Sequence, residues 1–354
     1  MKIIEKAEQI LLKTEYVPKL DFFQTQAAIK LVKDTFEKRL AEKLRLLRVS
    51  APRFLVVGTG LQDDLAGTQE PVRFCVKFRT EPVEVVHSLA KWKRHALGKH
   101  VFAPGTGLYT DMDAIRKDED VDEIHSIYVD QWDWEKIISK EERTIGHLKE
   151  CVRKIYSAVI ETEMVLEQKF PQLKAGLPKE IKFVHAEELE EMYQGLTPRQ
   201  REDKIVERYG AVFIIGIGHP LKSGVPHDLR AADYDDWTTD TSAETGIPTH
   251  GLDGDILVWD GVRKKALELS SMGIRVDKLA LMKQLASMQQ LEKKDCEFHK
   301  AVLEEKLPLT MGGGIGQSRL CMALLKKAHI GEVQSSVWPE EMEEEFRQKK
   351  LIVL

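Results

Sequence analysis

The chain has 354 residues, of which 42% are hydrophobic and 31% charged, with a formal net charge of −5. This length and apolar content suffice for a substantial core, and the negative charge disfavours general nucleic-acid binding. The four cysteines form no Cys-x-x-Cys pair, so we expect neither a structural zinc site nor a disulfide framework. The longest apolar run, residues 211–217, is too short to span a membrane. Because residues 1–20 also hold no apolar signal segment, we expect a cytoplasmic protein.

The first half of the sequence mixes helical and strand patterns. Apolar residues spaced three or four apart predict an amphipathic helix over residues 24–45. Alternating apolar residues predict strands over residues 72–78 and 83–87. Two further strands, over residues 107–116 and 125–133, are joined by a charged loop and should form an antiparallel hairpin.

The second half begins with a long amphipathic helix over residues 145–170. The Lys/Glu-rich segment 179–208 is expected to be helical and peripheral, ending at Gly210. The remaining predicted elements are strands over 211–217, 254–259 and 266–275, a long loop over 219–251, and helices within 276–306. With no linker dividing the chain, these patterns predict one α+β domain with a mostly antiparallel sheet.

Residues 311–320 read Met-Gly-Gly-Gly-Ile-Gly-Gln-Ser-Arg-Leu, a strand pattern running into a helix. Glycines let a planar ring or a phosphate approach the backbone closely, and a helix N-terminus with a fixed arginine favours anions. Gly312, Gly314, Gly316 and Arg319 therefore form a candidate nucleotide site. On these residues alone, a tight turn packed against its neighbours is an equal alternative.

The strand predicted at residues 128–135 has one polar face. Gln131, Asp133 and Glu135 should point to one side of it, with two tryptophans on the other. Three polar groups on a core strand are costly unless they meet a ligand or partners. The pattern favours a binding site, with a solvent-facing edge strand as the alternative.

Four charged side chains lie at strand positions where a phosphate or metal site is plausible. Asp255 and Glu268 fall on neighbouring predicted strands and could share Mg²⁺ with a phosphate. Arg116 ends a strand beside an acidic loop and could hold a phosphate, although an exposed arginine is the simpler interpretation. Arg275 could bind a substrate carboxylate or form an ion pair with Glu268.

The helix closed by Pro52, the strand–loop–strand at Arg116 and Gly312-x-Gly314-x-Gly316-x-x-Arg319 resemble, in order, the three motifs of class II aminoacyl-tRNA synthetase catalytic domains. Longer blocks are similar to the ammonia-dependent asparagine synthetase family, the aspartate–ammonia ligases: residues 86–94, 128–135, 233–237, 268–275 and 312–319. The resemblance implies an α+β class II synthetase-like fold, with a mostly antiparallel central sheet flanked by helices. It also implies one catalytic domain over residues 21–354, an N-terminal extension over 1–20 and a homodimer.

The resemblance further implies that L-aspartate and ATP give β-aspartyl-AMP and pyrophosphate, after which ammonia displaces AMP to give asparagine. Arg116 would bridge the β-carboxylate and α-phosphate, and Arg319 would lie over adenine. Asp255 and Glu268 would hold Mg²⁺. Asp63 would hold ammonium and accept its proton. Gly314 and Gly316 would lie beside ATP. The residues implied for binding aspartate are Ser88, Lys93, Gln131, Asp133, Asp235, Ser271 and Arg275, with Lys93 and Arg275 on its side-chain carboxylate.

Three alternative functions make different demands on the sequence. A glutamine-dependent asparagine synthetase needs an N-terminal cysteine nucleophile, but residue 2 is lysine. An aspartyl- or asparaginyl-tRNA synthetase needs an anticodon-binding domain and a basic surface, which makes it the second choice. A catalytically inactive regulator should have lost charged site residues, yet Arg116, Asp255 and Arg319 are all present.

Overall fold

The computed structural model describes residues 16–354 apart from 64 and 66–68. Most of the expected N-terminal extension, residues 1–15, lies outside the described residues. The strands are β1 (Leu46–Arg48), β2 (Phe54–Val56), β3 (Arg73–Phe74), β4 (Val83–Val85), β5 (Gly107–Ile115), β6 (Tyr128–Ile137), β7 (Lys182–His185), β8 (Ala211–Ile215), β9 (Asp253–Asp260), β10 (Lys265–Ile274) and β11 (Thr310–Gly316).

Helices flank these strands and connect them. They are α1 (Phe22–Leu44), α2 (Ala90–His100), α3 (Ile145–Lys169), α4 (Ala186–Met192), α5 (Pro198–Tyr209), α6 (Ser242–Thr245), α7 (Lys278–Ser287), α8 (Glu297–Leu303), α9 (Gln317–Leu324) and α10 (Glu340–Lys349). No helix within the described part of the chain is both long and apolar enough to cross a membrane.

One large sheet has the strand order β1-β5-β6-β11-β10-β9-β8-β7, and a small one has the order β2-β4-β3. The inner pairs of the large sheet are antiparallel, and only its two outermost pairs, β1·β5 and β7·β8, are parallel. The predicted mostly antiparallel sheet and α+β class are therefore confirmed. The glycine strand β11 lies between β6 and β10, near the middle of the sheet.

Helix α1 shows how local signals and packing agree. Asp21 and Gln24 form a reciprocal capping box at its start, which satisfies backbone N–H groups that have no helical partner. Its buried face includes Val32 and Phe36, and the Phe36 ring lies 4.7 Å from that of Trp132 on β6. The predicted helix is confirmed, beginning at Phe22 instead of residue 24.

Three predicted elements differ from the structure by more than two residues or in type. The strand predicted over residues 125–133 is β6, which begins at Tyr128 and ends at Ile137. The alternation over residues 72–78 yields only the two-residue strand β3, because the chain turns after it and leaves Phe78 85% exposed. The segment 179–208 is not wholly helical, since β7 pairs in parallel with β8 and buries Val184. Because Lys- and Glu-rich residues lie on both sides of this short edge strand, the sequence shows no clear strand pattern there. Gly210 does end α5, as predicted, with a φ of 75°.

Candidate active site

A cavity of about 420 Å³ opens over the central strands of the large sheet. The predicted site residues line it except Asp255, Gly312 and Glu135, although they come from segments far apart in the chain. They are Asp63, Ser88, Lys93, Arg116, Gln131, Asp133, Asp235, Glu268, Ser271, Arg275, Gly314, Gly316 and Arg319. The fold thus brings the amino-acid and nucleotide candidates into one space.

The glycines of β11 make room for polar side chains on β6. Gly314 pairs with Asp133 on one side and with Ser271 on the other. A Cβ on Gly314 would overlap Gln131 Oε1 and lie 3.0 Å from Asp133 Oδ1. The two tryptophans of β6 point the other way and are fully buried in the core, as predicted. Small residues on β11 therefore free the polar face of β6 to line the cavity.

Lys93, on α2, lies at the base of the cavity and is fully buried. Its Nζ donates to Asp133 Oδ1 at 2.9 Å and to the carbonyl oxygen of Gly313 at 3.0 Å. Burial lowers the pKa of Lys93 because it penalises the charged form, while the Asp133 carboxylate acts in the opposite direction. The Lys93 side chain is thus held by two acceptors where it lines the cavity.

Arg275 follows the end of β10 and is 3% exposed. Its Nε and Nη2 donate to Glu135, with Nη2 2.8 Å from Oε2, and its Nη1 donates to Asp235. The alternative ion pair with Glu268 is wrong, since Arg319 lies beside that carboxylate instead. Glu135 was predicted to lie on the polar face of β6, and the structure places it behind the cavity wall as the partner of Arg275.

Arg116 follows β5 and reaches into the cavity with few partners. Its Nη2 lies 3.4 Å from the carbonyl oxygen of His87, and its buried Nε has no hydrogen-bond partner among the residues described. Buried donors normally have acceptors, and an arginine with unused donors is well suited to bind an anion. This arrangement favours the phosphate interpretation over an exposed arginine at a hairpin end.

Arg319 lies on the first turn of α9, which directly follows the glycine strand β11. Its Nη1 donates to the carbonyl oxygen of Glu268 at 3.2 Å and lies 3.4 Å from Glu268 Oε2. The side chain of Arg319 is 20% exposed and that of Glu268 is 42% exposed, so the pair is open to the cavity. A ligand could therefore reach both groups.

Asp255 lies beside the cavity and is held by Arg230, which sequence reasoning missed. Arg230 Nη2 donates to Asp255 Oδ1 at 2.5 Å, and the same side chain donates to Asp253 and Ser271. Burial raises the pKa of Asp255 to about 7, and the negative charge of Glu268 adds to the rise. Arg230 lies in the long loop 219–251, where no periodic pattern marks individual side chains.

Asp255 and Glu268 have the oxygen ligands that magnesium prefers, and their mutual repulsion would be relieved by a cation. Within residues 16–354, apart from the gaps at 64 and 66–68, no group of three or more His, Cys, Asp or Glu side chains is arranged to hold a metal. Two carboxylates fit an ion that takes its other ligands from water and phosphate. The residues present therefore fit Mg²⁺ bound together with a nucleotide.

Asp63 lies on the cavity wall in the loop after β2 and is 3% exposed. Its Oδ1 accepts a hydrogen bond from the backbone N–H of Leu65 at 3.0 Å. Tyr234 also lines the cavity, and burial together with the charge of Asp63 raises its pKa well above the usual value. Asp63 thus has a neutral tyrosine as its neighbour. Because Tyr234 belongs to the acidic block 233–237, the sequence could have suggested that this tyrosine lies at the site.

The family model for aspartate–ammonia ligase matches residues 23–350 of this chain. An aspartate–ammonia ligase of Parabacteroides distasonis is 52% identical over 340 residues, which are 96% of this chain and 97% of that protein. Another, from Clostridium tetani, is 52% identical over 352 residues, 99% of each chain.

Among solved structures, an asparaginyl-tRNA synthetase from Pyrococcus horikoshii complexed with asparaginyl-adenylate is similar in fold. Its TM-score is 0.63 at 14% sequence identity, and the match covers 89% of this chain and 70% of that one. At this identity the likeness establishes the fold alone, which is that of class II aminoacyl-tRNA synthetases.

Proposed function

Because the chain belongs to the aspartate–ammonia ligase family, it is a ligase of asparagine biosynthesis, and we propose that it joins aspartate and ammonia through a β-aspartyl-AMP intermediate. The side-chain carboxylate of aspartate attacks the α-phosphorus of ATP, and pyrophosphate leaves. Ammonia then attacks the β-carbonyl carbon, and AMP leaves. The observation that carries this proposal is the single cavity that contains both the nucleotide and the amino-acid candidates.

Arg116 stabilises the first step. As the carboxylate attacks, negative charge accumulates on the oxygens around the α-phosphorus. A guanidinium with donors left unused by the protein can take up that charge without first breaking other bonds. Arg116 also holds the carboxylate and the phosphate together, which lowers the entropic cost of their encounter.

Arg319 and the glycines of β11 hold the nucleotide. Gly314 and Gly316 leave space along the cavity wall, and the planar guanidinium of Arg319 can lie against the adenine ring. Asp255 and Glu268 would hold Mg²⁺, which supplies positive charge to the phosphates when it is bound.

Aspartate occupies the other end of the cavity. Lys93 and Arg275 supply positive charge for its side-chain carboxylate. The groups proposed around its ammonium and backbone carboxylate are Ser88, Gln131, Asp133, Asp235 and Ser271. Asp63 binds the incoming ammonium and takes a proton from it, so that neutral ammonia can attack the adenylate.

The same proposal includes a cytoplasmic homodimer that binds neither nucleic acid nor membranes. The net charge of −5 supports the absence of a nucleic-acid partner. Exposed apolar side chains on and beside α1, including Phe23 at 80% exposure and Leu47 at 60%, support a contact between two copies.

Pyrophosphate–ATP exchange without ammonium tests the adenylate step. The protein should catalyse exchange that depends on aspartate, because the first step is reversible and needs no nitrogen donor. Arg116→Ala should reduce this exchange by about 10³-fold, since it removes charge stabilisation in the transition state. Near-normal exchange by the variant would remove Arg116 from the scheme, and exchange that does not require aspartate would contradict the proposed intermediate.

A further inference from the structure

A buried unit of two carboxylates and one guanidinium closes the amino-acid end of the cavity. Arg275 donates through Nη1 to Asp235, and through Nε and Nη2 to Glu135 at 3.1 and 2.8 Å. Two negative charges thus surround one positive charge. A substrate carboxylate that simply added to Arg275 would bring a third negative charge to a guanidinium that already pairs with two carboxylates.

The two carboxylates differ in their access to the cavity. Asp235 lines the cavity, whereas Glu135 is fully buried and does not line it. A substrate can therefore reach the Asp235 side of Arg275 but not the Glu135 side. This asymmetry makes Asp235 the exchangeable partner and Glu135 the permanent one.

Arg275 is fixed in place by its surroundings. Its backbone N–H donates to the carbonyl oxygen of Thr310 at 2.8 Å, and its own carbonyl accepts from Arg143 Nη1 at 2.6 Å. A Cβ on Gly312 would overlap Glu135 Oε2 and lie 2.6 Å from Arg275 Nη2, so the glycine strand leaves a space that the Glu135–Arg275 pair fills. The guanidinium therefore stays in position if Asp235 releases it.

We propose that aspartate binds by insertion into the Asp235–Arg275 ion pair. A substrate carboxylate replaces Asp235 on Arg275 Nη1, and the substrate ammonium takes over the freed Asp235 carboxylate. Each buried charge keeps a partner throughout the exchange, which avoids the large cost of an isolated charge. The inference rests on the proposed function, and it makes Glu135 a positioning residue that keeps Arg275 from following Asp235.

If aspartate binds by insertion, its ammonium group should contribute as much to binding affinity as its carboxylates do. Succinate has both carboxylates of aspartate but no ammonium. If it displaces Asp235 from Arg275, that carboxylate loses its ion pair and gains no new one. The unmodified protein, titrated by calorimetry with α,β-methylene-ATP present to prevent adenylation, should therefore bind aspartate at least about 100-fold more tightly than succinate. Succinate affinity within about threefold of that for aspartate would overturn the inference.

The Asp235→Asn variant distinguishes insertion from a binding mode in which aspartate contacts Asp235 without displacing it from Arg275. It should weaken aspartate binding by about 100-fold and strengthen succinate binding by at least about tenfold, because no carboxylate charge remains to be left unpaired. Unchanged succinate binding would contradict the inference. Equal weakening of both ligands would overturn the inference. If the variant fails to fold, as judged by circular dichroism, the comparison on the unmodified protein still decides.

Glu135→Gln tests the positioning role. The KM for aspartate should rise by at least about tenfold, with the KM for ATP within about twofold, because only the amino-acid end loses its fixed cation. Glu163→Gln is the matched control: Glu163 is also buried and paired, with Lys326 at 3.4 Å, but it lies on α3 away from the cavity. Equal rises in both KM values for Glu135→Gln would indicate general damage and reject the role. Asparagine formation by the unmodified protein tests the proposed function separately.

Discussion

Asp63 and Arg116 divide the chemistry of the cavity between its two steps. Arg116 carries unused donors that suit the charge formed during adenylation. Asp63 lies almost fully buried on the cavity wall beside Tyr234, a group that stays neutral over the physiological pH range. A buried carboxylate next to a neutral hydroxyl suits a cation such as ammonium better than a phosphate.

The Asp63→Asn variant should impair the second step more than the first. Asparagine amide cannot accept a proton from ammonium, so the ammonia-dependent rate should fall by about 10²-fold, whereas aspartate-dependent pyrophosphate exchange should fall by less than about threefold. Comparing the two assays on one preparation measures this difference. An equal loss in both would reject Asp63 as the base.

Several site residues could be predicted because their patterns are local. The alternation along β6 predicts that Gln131 and Asp133 share one face of the strand, and the two tryptophans buried on the opposite face confirm this prediction. Arg230 could not be predicted, because its role depends on contacts with Asp253 and Asp255, more than 20 residues away along the chain. Long-range ion pairs leave no periodic signal in a loop.

At the scale of elements, β11 is the strand that lets the others form a site. It pairs with β6 and β10 along its length, and its glycines leave space where side chains from both neighbours meet. Glycine in a strand normally weakens it, because the strand loses side-chain packing and conformational entropy. Here the strand is held by pairing on both sides, and the cavity wall depends on the missing Cβ atoms.

Gly312→Ala should therefore damage aspartate binding. The added Cβ would overlap Glu135 Oε2, which must shift and carry Arg275 with it. We expect the aspartate KM to rise by more than about tenfold and the free energy of unfolding to fall by about 1–3 kcal/mol. Steady-state kinetics and denaturant titration measure the two effects.

Gly261→Ala is the matched control, because a Cβ there meets nothing within 4 Å. It should leave both quantities close to those of the unmodified protein. If Gly312→Ala behaved like this control, the space provided by β11 would not matter for binding.

Element type was predicted well where the pattern was long and poorly where it was short. The helices α1 and α3 have buried faces that recur every three or four residues over more than 20 residues. The four-residue strand β7 buries only part of its length and is surrounded by charged residues. Its parallel pairing with β8 determines its conformation, and the paired residues lie 30 positions apart in the chain.

At the scale of the whole molecule, the large sheet and the loops beside it place residues from position 63 to position 319 around one cavity. Sequence patterns alone predict most of the strands but not their order, because strand order depends on long-range packing. The order could be anticipated only through the resemblance to class II synthetases. The exposed apolar residues Phe23 and Leu47 are not explained by this single chain.

We expect the protein to be a dimer in solution. Covering these exposed apolar side chains with a second copy would remove them from water, which favours association. Sedimentation velocity at micromolar concentration should give about twice the mass of one chain, which is 40.4 kDa. A monomer across the accessible concentration range would contradict the proposed homodimer.

The most direct measurement is the product stoichiometry of the complete reaction. The protein is incubated with aspartate, ATP, Mg²⁺ and ammonium, and the amino-acid and nucleotide products are quantified together. An attack at the α-phosphorus predicts equal amounts of asparagine, AMP and pyrophosphate. Asparagine accompanied by ADP and phosphate would mean attack at the γ-phosphorus and would contradict the adenylate mechanism.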